Sequence, residues 1–225
     1  MGSGFEIRQE QITLQANFER PAFGLFKDFP GLAKHLFEAL DSYGVRLSDF
    51  KIDSTGENLG EMSVQITLQN LVTARLFLDR IDFTSVHLPF FKDFREGSFT
   101  ADLLSSIQEY SPEVSYRVFA VTQEAHGRLD LPLKDFLSRF SAAAPTTLGP
   151  TLGSGTVFYF GAAEDRLTGS LLLDFSRAVE EGLFLKMSIV FDAAQVAMRT
   201  LLKVFEARLS ILLDELGLEL TRRKA

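Results

Sequence analysis

The chain has 225 residues, 46% of them hydrophobic and 24% charged, with a net charge of −7 and no cysteine. That is enough apolar material for one large domain or two small ones, and it excludes disulfides, a thiolate nucleophile, an iron–sulfur cluster and a cysteine zinc site. Lys and Arg are scattered apart from the terminal TRRKA; a groove that tracks phosphates needs concentrated positive charge, so no nucleic acid is expected as a ligand.

No apolar stretch approaches the roughly 18 residues of a membrane span, and no basic leader with a long apolar run opens the chain. The expectation is a cytoplasmic protein. Phenylalanine is abundant, 22 residues against four tyrosines and no tryptophan. Most of these rings belong to a core, and the same rings would line an apolar ligand cavity.

In chain order, QITLQANF (11–18) alternates apolar and polar residues and predicts a half-buried strand. KDFPGLAKHLFEALDSYG (27–44) predicts a helix capped by Asp28, with Pro30 in its first turn and Gly44 at its end. Three strands follow at 45–52, 61–69 and 73–83, joined by hairpin-like connections. GSFTADLLSSIQEY predicts a helix at 97–110. The second half repeats the order: a strand at 113–123, a helix at 132–144, strands at 155–162, 166–176 and 183–192, and a long helix at 193–217.

Short echoes accompany this repetition. TARLFLD (73–79) and TGSLLLD (168–174) share Thr, Leu, Leu and Asp at one offset, and FKDF occurs at 26–29 and 91–94 beside LKDF at 133–136. The reading is an α+β chain of two similar β-α-β-β-β-α units, 1–112 and 113–225, with antiparallel sheet and a long C-terminal helix, packed as one body. This layout, with LFLDRIDFTS, VSYRVFAV and LLLDF at matching places, resembles a sporadically distributed family of uncharacterised prokaryotic proteins. That resemblance implies the fold and brings no catalytic residues.

Few residues advertise chemistry. GPTLGSGTVFYFG (149–161) has the glycines of a phosphate loop but no lysine, and the aromatic, β-branched TVFYF after it predicts a strand where a phosphate site needs a helix; it reads as a turn. If the strand beginning at 113 continues, Thr122, Glu124, His126, Arg128 and Asp130 share one face. His126 flanked by Glu124 and Asp130 could act as a general base in a hydrolase, the weakest of the functional readings. His35, His87 and His126 show neither i,i+4 pairing nor HExxH, so neither metal nor cofactor is expected. Carboxylate pairs occur at Asp79 and Asp82, Glu164 and Asp165, and Glu180 and Glu181; the last two lie in apparent turns, where solvated charge is expected, and nothing singles out any of them as a glycosidase-type acid and base.

Two surfaces point to partners. Met198, Leu202, Phe205, Leu209, Leu212 and Leu216 repeat in steps of four and three, a heptad seam suited to self-association. Phe90, Phe91, Phe94 and Phe99 crowd an irregular stretch that would plug the core or form a docking patch or cavity lid. The expected function is a non-catalytic interaction protein that forms a homo-oligomer through the last helix and binds a protein partner. The alternative is a carrier or sensor for an apolar small molecule in a Phe-lined cavity.

Overall fold

Local chemistry explains where the elements of the computed structural model begin and end; it describes residues 2–53, 61–68, 72–85, 98–140, 155–162 and 167–222. Strand β1 (Ser3–Phe18) is longer than the alternation at 11–18 requires. Its burial changes phase: Ser3, Phe5 and Ile7 are buried, then Glu10, Ile12, Leu14, Ala16 and Phe18. Arg8 and Gln9, both exposed, carry the change, which hides the first half of the strand from a period-two reading.

Helix α1 (Phe29–Ala39) starts as predicted, with the Asp28 carboxylate accepting from the Gly31 N–H at 3.0 Å and Pro30 in its first turn. It buries Leu32 and Leu36. A tight turn at 41–43 follows and closes at Gly44, whose φ of +69° costs glycine no strain.

β3 (Ser63–Leu68) lies within its predicted run, whereas β2 (Phe50–Asp53) keeps only the end of the predicted 45–52, where Leu47–Asp49 form a helical turn, and the predicted strand at 73–83 is two strands, β4 (Val72–Leu76) and β5 (Arg80–Ser85). The Phe77 N–H donates to the Arg80 carbonyl at 2.8 Å and closes the turn between them. Leu76, Phe77 and Leu78 are all buried, so the apolar run of β4 continues into the turn as far as exposed Asp79. Helix α2 (Ser98–Tyr110) and strand β6 (Tyr116–Leu129) come next, the strand continuing past the predicted end at 123.

Helix α3 spans Leu133–Ser138, residues 141–144 of the predicted 132–144 lying outside the described residues, and β7 (Thr156–Ala162), β8 (Leu167–Phe175) and β9 (Leu183–Asp192) match their predicted runs closely. The predicted helix 193–217 is shortened to α4 (Leu201–Glu215). Residues 193–200 form turns, held by the Asp192 carboxylate accepting from the Ala194 N–H at 2.9 Å and by the Thr200 hydroxyl donating to the Ala197 carbonyl. Gly217, with φ of +68°, ends the helix and releases a strand the pattern did not reveal, β10 (Leu218–Arg222).

The architecture is α+β, with ten strands and four helices among the described residues. β2, β3, β4, β5 and β1 pair antiparallel in that order, as do β7 and β8, whereas β10 runs parallel to β1 from Ser3↔Leu218 to Ile7↔Arg222. No helix among the described residues is long and apolar enough to cross a membrane.

The chain divides into two compact units. The first comprises residues 1–11, 122–189 and 204–225, its strands ordered β10-β1-β6-β9-β8-β7. Ile7, Ala125, Leu171, Leu173, Leu185 and Met187 are buried there, as are Phe136 and Leu137 of α3 and Phe205, Leu209 and Leu213 of α4. α3 packs on β8.

The second unit comprises residues 12–121 and 190–203, ordered β2-β3-β4-β5-β1-β6-β9. In it α1 packs on α2, where the Tyr110 hydroxyl donates to the Asp28 carbonyl at 3.1 Å and His35 Nε2 lies 3.0 Å from the Ser106 carbonyl. Phe99 is buried edge-on to Tyr43, ring centroids 5.2 Å apart.

Candidate functional site

The alternation of β6 sends Val121, Gln123 and Ala125 inward and leaves Thr122, Glu124 and His126 half-buried on the other face. β9 does the same with Phe184, Lys186 and Ser188. The two rows meet residue for residue. Thr122 Oγ1 is 2.8 Å from Ser188 Oγ, Lys186 Nζ is 2.7 Å from Glu124 Oε1, and the His126 ring stacks on Phe184 at 4.7 Å with 26° between planes.

His126 also reaches the turn between β8 and β9. Its Nδ1 lies 2.8 Å from Ser176 Oγ, and that oxygen accepts from the N–H groups of Ala178 at 3.1 Å and Val179 at 2.8 Å. The turn is closed by Ser176 N–H donating to the Gly182 carbonyl at 2.7 Å and Gly182 N–H donating to the Val179 carbonyl at 3.0 Å. Glu181 sits at φ of +52°, the one non-glycine residue with positive φ among those described. A side chain there tolerates that conformation only when its surroundings enforce it.

A Cβ on Gly182 would lie 2.7 Å from the Gly127 carbonyl oxygen, and one on Gly127 would collide with the Glu6 carbonyl. The two glycines let β1, β6 and the turn that carries Glu181 approach closely.

Beside this network lies a cleft of about 910 Å³, within the size range of small-molecule sites. Its charged lining is Arg128, Asp130, Lys134, Glu180 and Glu181, and Phe175 and four flanking apolar residues of 129–133 supply the rest. Asp130 is committed to the scaffold, since its Oδ2 accepts from the Gly4 N–H at 2.8 Å. Arg128, Lys134, Glu180 and Glu181 have no ion-pair partner among the described residues.

Burial holds His126 below the ordinary imidazole value, with Glu124 acting in the opposite sense. Lone-pair counting agrees. Ser176 Oγ already accepts two N–H bonds, so its remaining role is to donate its proton, and His126 Nδ1 must be the acceptor, as in a neutral ring protonated at Nε2.

Of the residues singled out in the sequence, Glu124 and His126 thus share a face, and Asp130 lines the cleft beyond the end of β6. Phe184, Lys186, Ser188 and Ser176 were missed. Their own alternation was legible, but nothing local says that β9 lies beside β6. A second missed pair is internal: Glu10 and Gln123 are 7% and 1% exposed, and the Gln123 amide donates to the Glu10 carboxylate.

Asp79 and Asp82 both hold Arg80. The phenylalanines at 90, 91 and 94, the histidine at 87, the carboxylates at 164 and 165 and the glycine loop at 149–154 lie outside the described residues. No group of three or more His, Cys, Asp or Glu residues that could hold a metal occurs among the described ones.

No family model matches the sequence, and no curated protein is similar to it. Among solved structures, the chain is similar to a rolling circle replication initiator protein from Geobacillus stearothermophilus, at 11% identity and a TM-score of 0.35, over 91% of this chain and 80% of that one.

That neighbour is of another kind than the non-catalytic, self-associating protein expected above, and the expectation is withdrawn. With it go the protein partner and homo-oligomer, the apolar small molecule, the hydrolase reading and the exclusion of nucleic acid. Burial supplies a physical reason for the first. Leu202, Phe205 and Leu209 of the expected seam are buried by the chain itself, Leu212 is half-buried, and Met198 and Leu216 lie outside the helix. At this TM-score the likeness puts no activity in the place of what it removes.

Proposed function

We propose that the chain binds a small zwitterionic molecule, such as an amino acid or short peptide, in the cleft at the end of β6. The observation that carries this reading is the charge pattern of its wall. Two cations, Arg128 and Lys134, and two carboxylates, Glu180 and Glu181, line one concavity without pairing among the described residues. A guanidinium takes a carboxylate in two parallel hydrogen bonds, and an ammonium group suits the two glutamates. Phe175 and the apolar flank cover the part of the ligand between its charged ends.

Calorimetric titration with free amino acids and dipeptides tests this, alongside the same compounds N-acetylated or C-amidated. Binding is expected to need both charges, to weaken with added salt, and to fall by about tenfold or more in Arg128→Ala, as loss of a charge-assisted pair requires. Absence of binding across the panel, or equal binding of the blocked compounds, would overturn it.

A further inference from the structure

The β8–β9 turn forms one wall of the cleft, since Phe175, Glu180 and Glu181 belong to it or adjoin it. Beside the two backbone bonds that close it, the turn is held by one side-chain oxygen. Ser176 Oγ gathers the Ala178 and Val179 N–H groups and passes its own proton to His126 Nδ1. The arrangement has no spare capacity: the hydroxyl has one proton and two lone pairs, and all three are used.

Protonating His126 places a second hydrogen where Ser176 now directs its own. The serine must then rotate and accept from Nδ1–H, and one of the two backbone bonds loses its acceptor. The turn also holds Glu181 at a φ of +52°, a conformation that relaxes once the constraint is gone.

We propose that His126 and Ser176 form an acid-released latch, which at neutral pH fixes the β8–β9 turn in the cleft wall and in acid lets it go. This rests on the reading of the cleft as a binding site, and assigns that site its regulation. The charged groups around the ring leave the histidine as the responsive element. Glu124 on its own strand is paired with Lys186 of β9, and Glu6 of β1 is paired with Arg8 at 2.7 Å. Arg128 follows on the histidine's own strand, and Arg177, Glu180 and Glu181 belong to the turn that Ser176 opens. Burial lowers the pKa of the ring, so the neutral, latched form prevails at neutral pH.

Amide hydrogen exchange of the ligand-free protein tests the latch. At about pH 7.5 the Ala178 and Val179 amides should be protected, and at about pH 5, after correction for intrinsic rates, their protection should fall by about tenfold or more. Ser176→Ala should lack that protection at both pH values, and His126→Gln should show no acid-dependent loss. Equal wild-type protection at the two pH values would overturn the latch, as would the same loss in His126→Gln. If that variant fails to fold, nitrogen chemical shifts of wild-type His126 decide. A neutral ring protonated at Nε2 is required, and one protonated at Nδ1 contradicts it. No ligand enters this experiment, so its outcome is independent of the zwitterion titration.

Discussion

A half-buried histidine couples the polar row to the stability of the fold. Folded His126 is held below the ordinary value of about 6.5, whereas in the unfolded chain it returns to that value. Between the two pKa values the unfolded state binds more protons, so stability rises with pH there. The contribution is complete above about pH 6.5 and is lost as pH falls through the folded pKa. Urea midpoints measured from about pH 7.5 to about pH 5.5 should therefore decline less steeply in His126→Gln than in the wild type. Identical slopes would show that the ring does not contribute. That His126 and Glu124 share a face was legible from β6 alone, because alternation is a local property. The serine that meets the ring is fifty positions away, in a turn whose Ser-Arg-Ala-Val-Glu-Glu-Gly sequence looks like ordinary solvated loop. Glu10 and Gln123 were hidden for the opposite reason: two polar side chains can be buried when each answers the other.

Elements whose limits are set by their own residues were readable, and those set by distant partners were not. α1 belongs to the first class. Asp28, Pro30 and Gly44 mark its start and the exit from the turn that follows it by backbone rules that need no tertiary context. Replacing Asp28 by Ala removes the acceptor for the Gly31 N–H and should cost about 1 kcal/mol in urea unfolding, with Asp28→Asn close to wild type. Equal losses in the two variants would point to charge, not capping, as the contribution of Asp28. β4 and β5 belong to the second class. The turn opens with Phe77 and Leu78, which are buried like the strand residues before them, so apolar character ran into it and only exposed Asp79 marks the break. α4 was over-read for a related reason. Apolar residues continue on both sides of it, but Asp192 and Thr200 hold the preceding stretch in turns, and Leu218–Arg222 pairs with β1. A five-residue strand whose partner lies over two hundred positions away has no signature of its own.

For the molecule as a whole, the repeat in element order and the compact units are different divisions of the chain. The first half carries one strand more than predicted before α2, and the second half ends in the additional β10. The compact units, in contrast, are assembled from separated segments, three in one case and two in the other. This has a consequence for any fragment that begins at residue 113. Such a fragment contains Thr122–Ile189 and Val204–Ala225 but lacks residues 1–11, which complete the same unit. It would lose the five parallel register pairs that β10 makes with β1, and the bond from the Asp130 N–H to the Gly4 carbonyl. It would also lose the bulk of Phe5 and Ile7, each at most 1% exposed in the intact chain. Two large apolar side chains contribute about 1.5–3 kcal/mol apiece when fully buried, a substantial part of the 5–15 kcal/mol that separates a domain from its unfolded state. Fragment 113–225 should therefore lack a cooperative thermal transition by circular dichroism. Adding a peptide of residues 2–11 in excess should restore one, through mass action on the folded form. A fragment that unfolds cooperatively without the peptide would show that the first strand is dispensable to its unit.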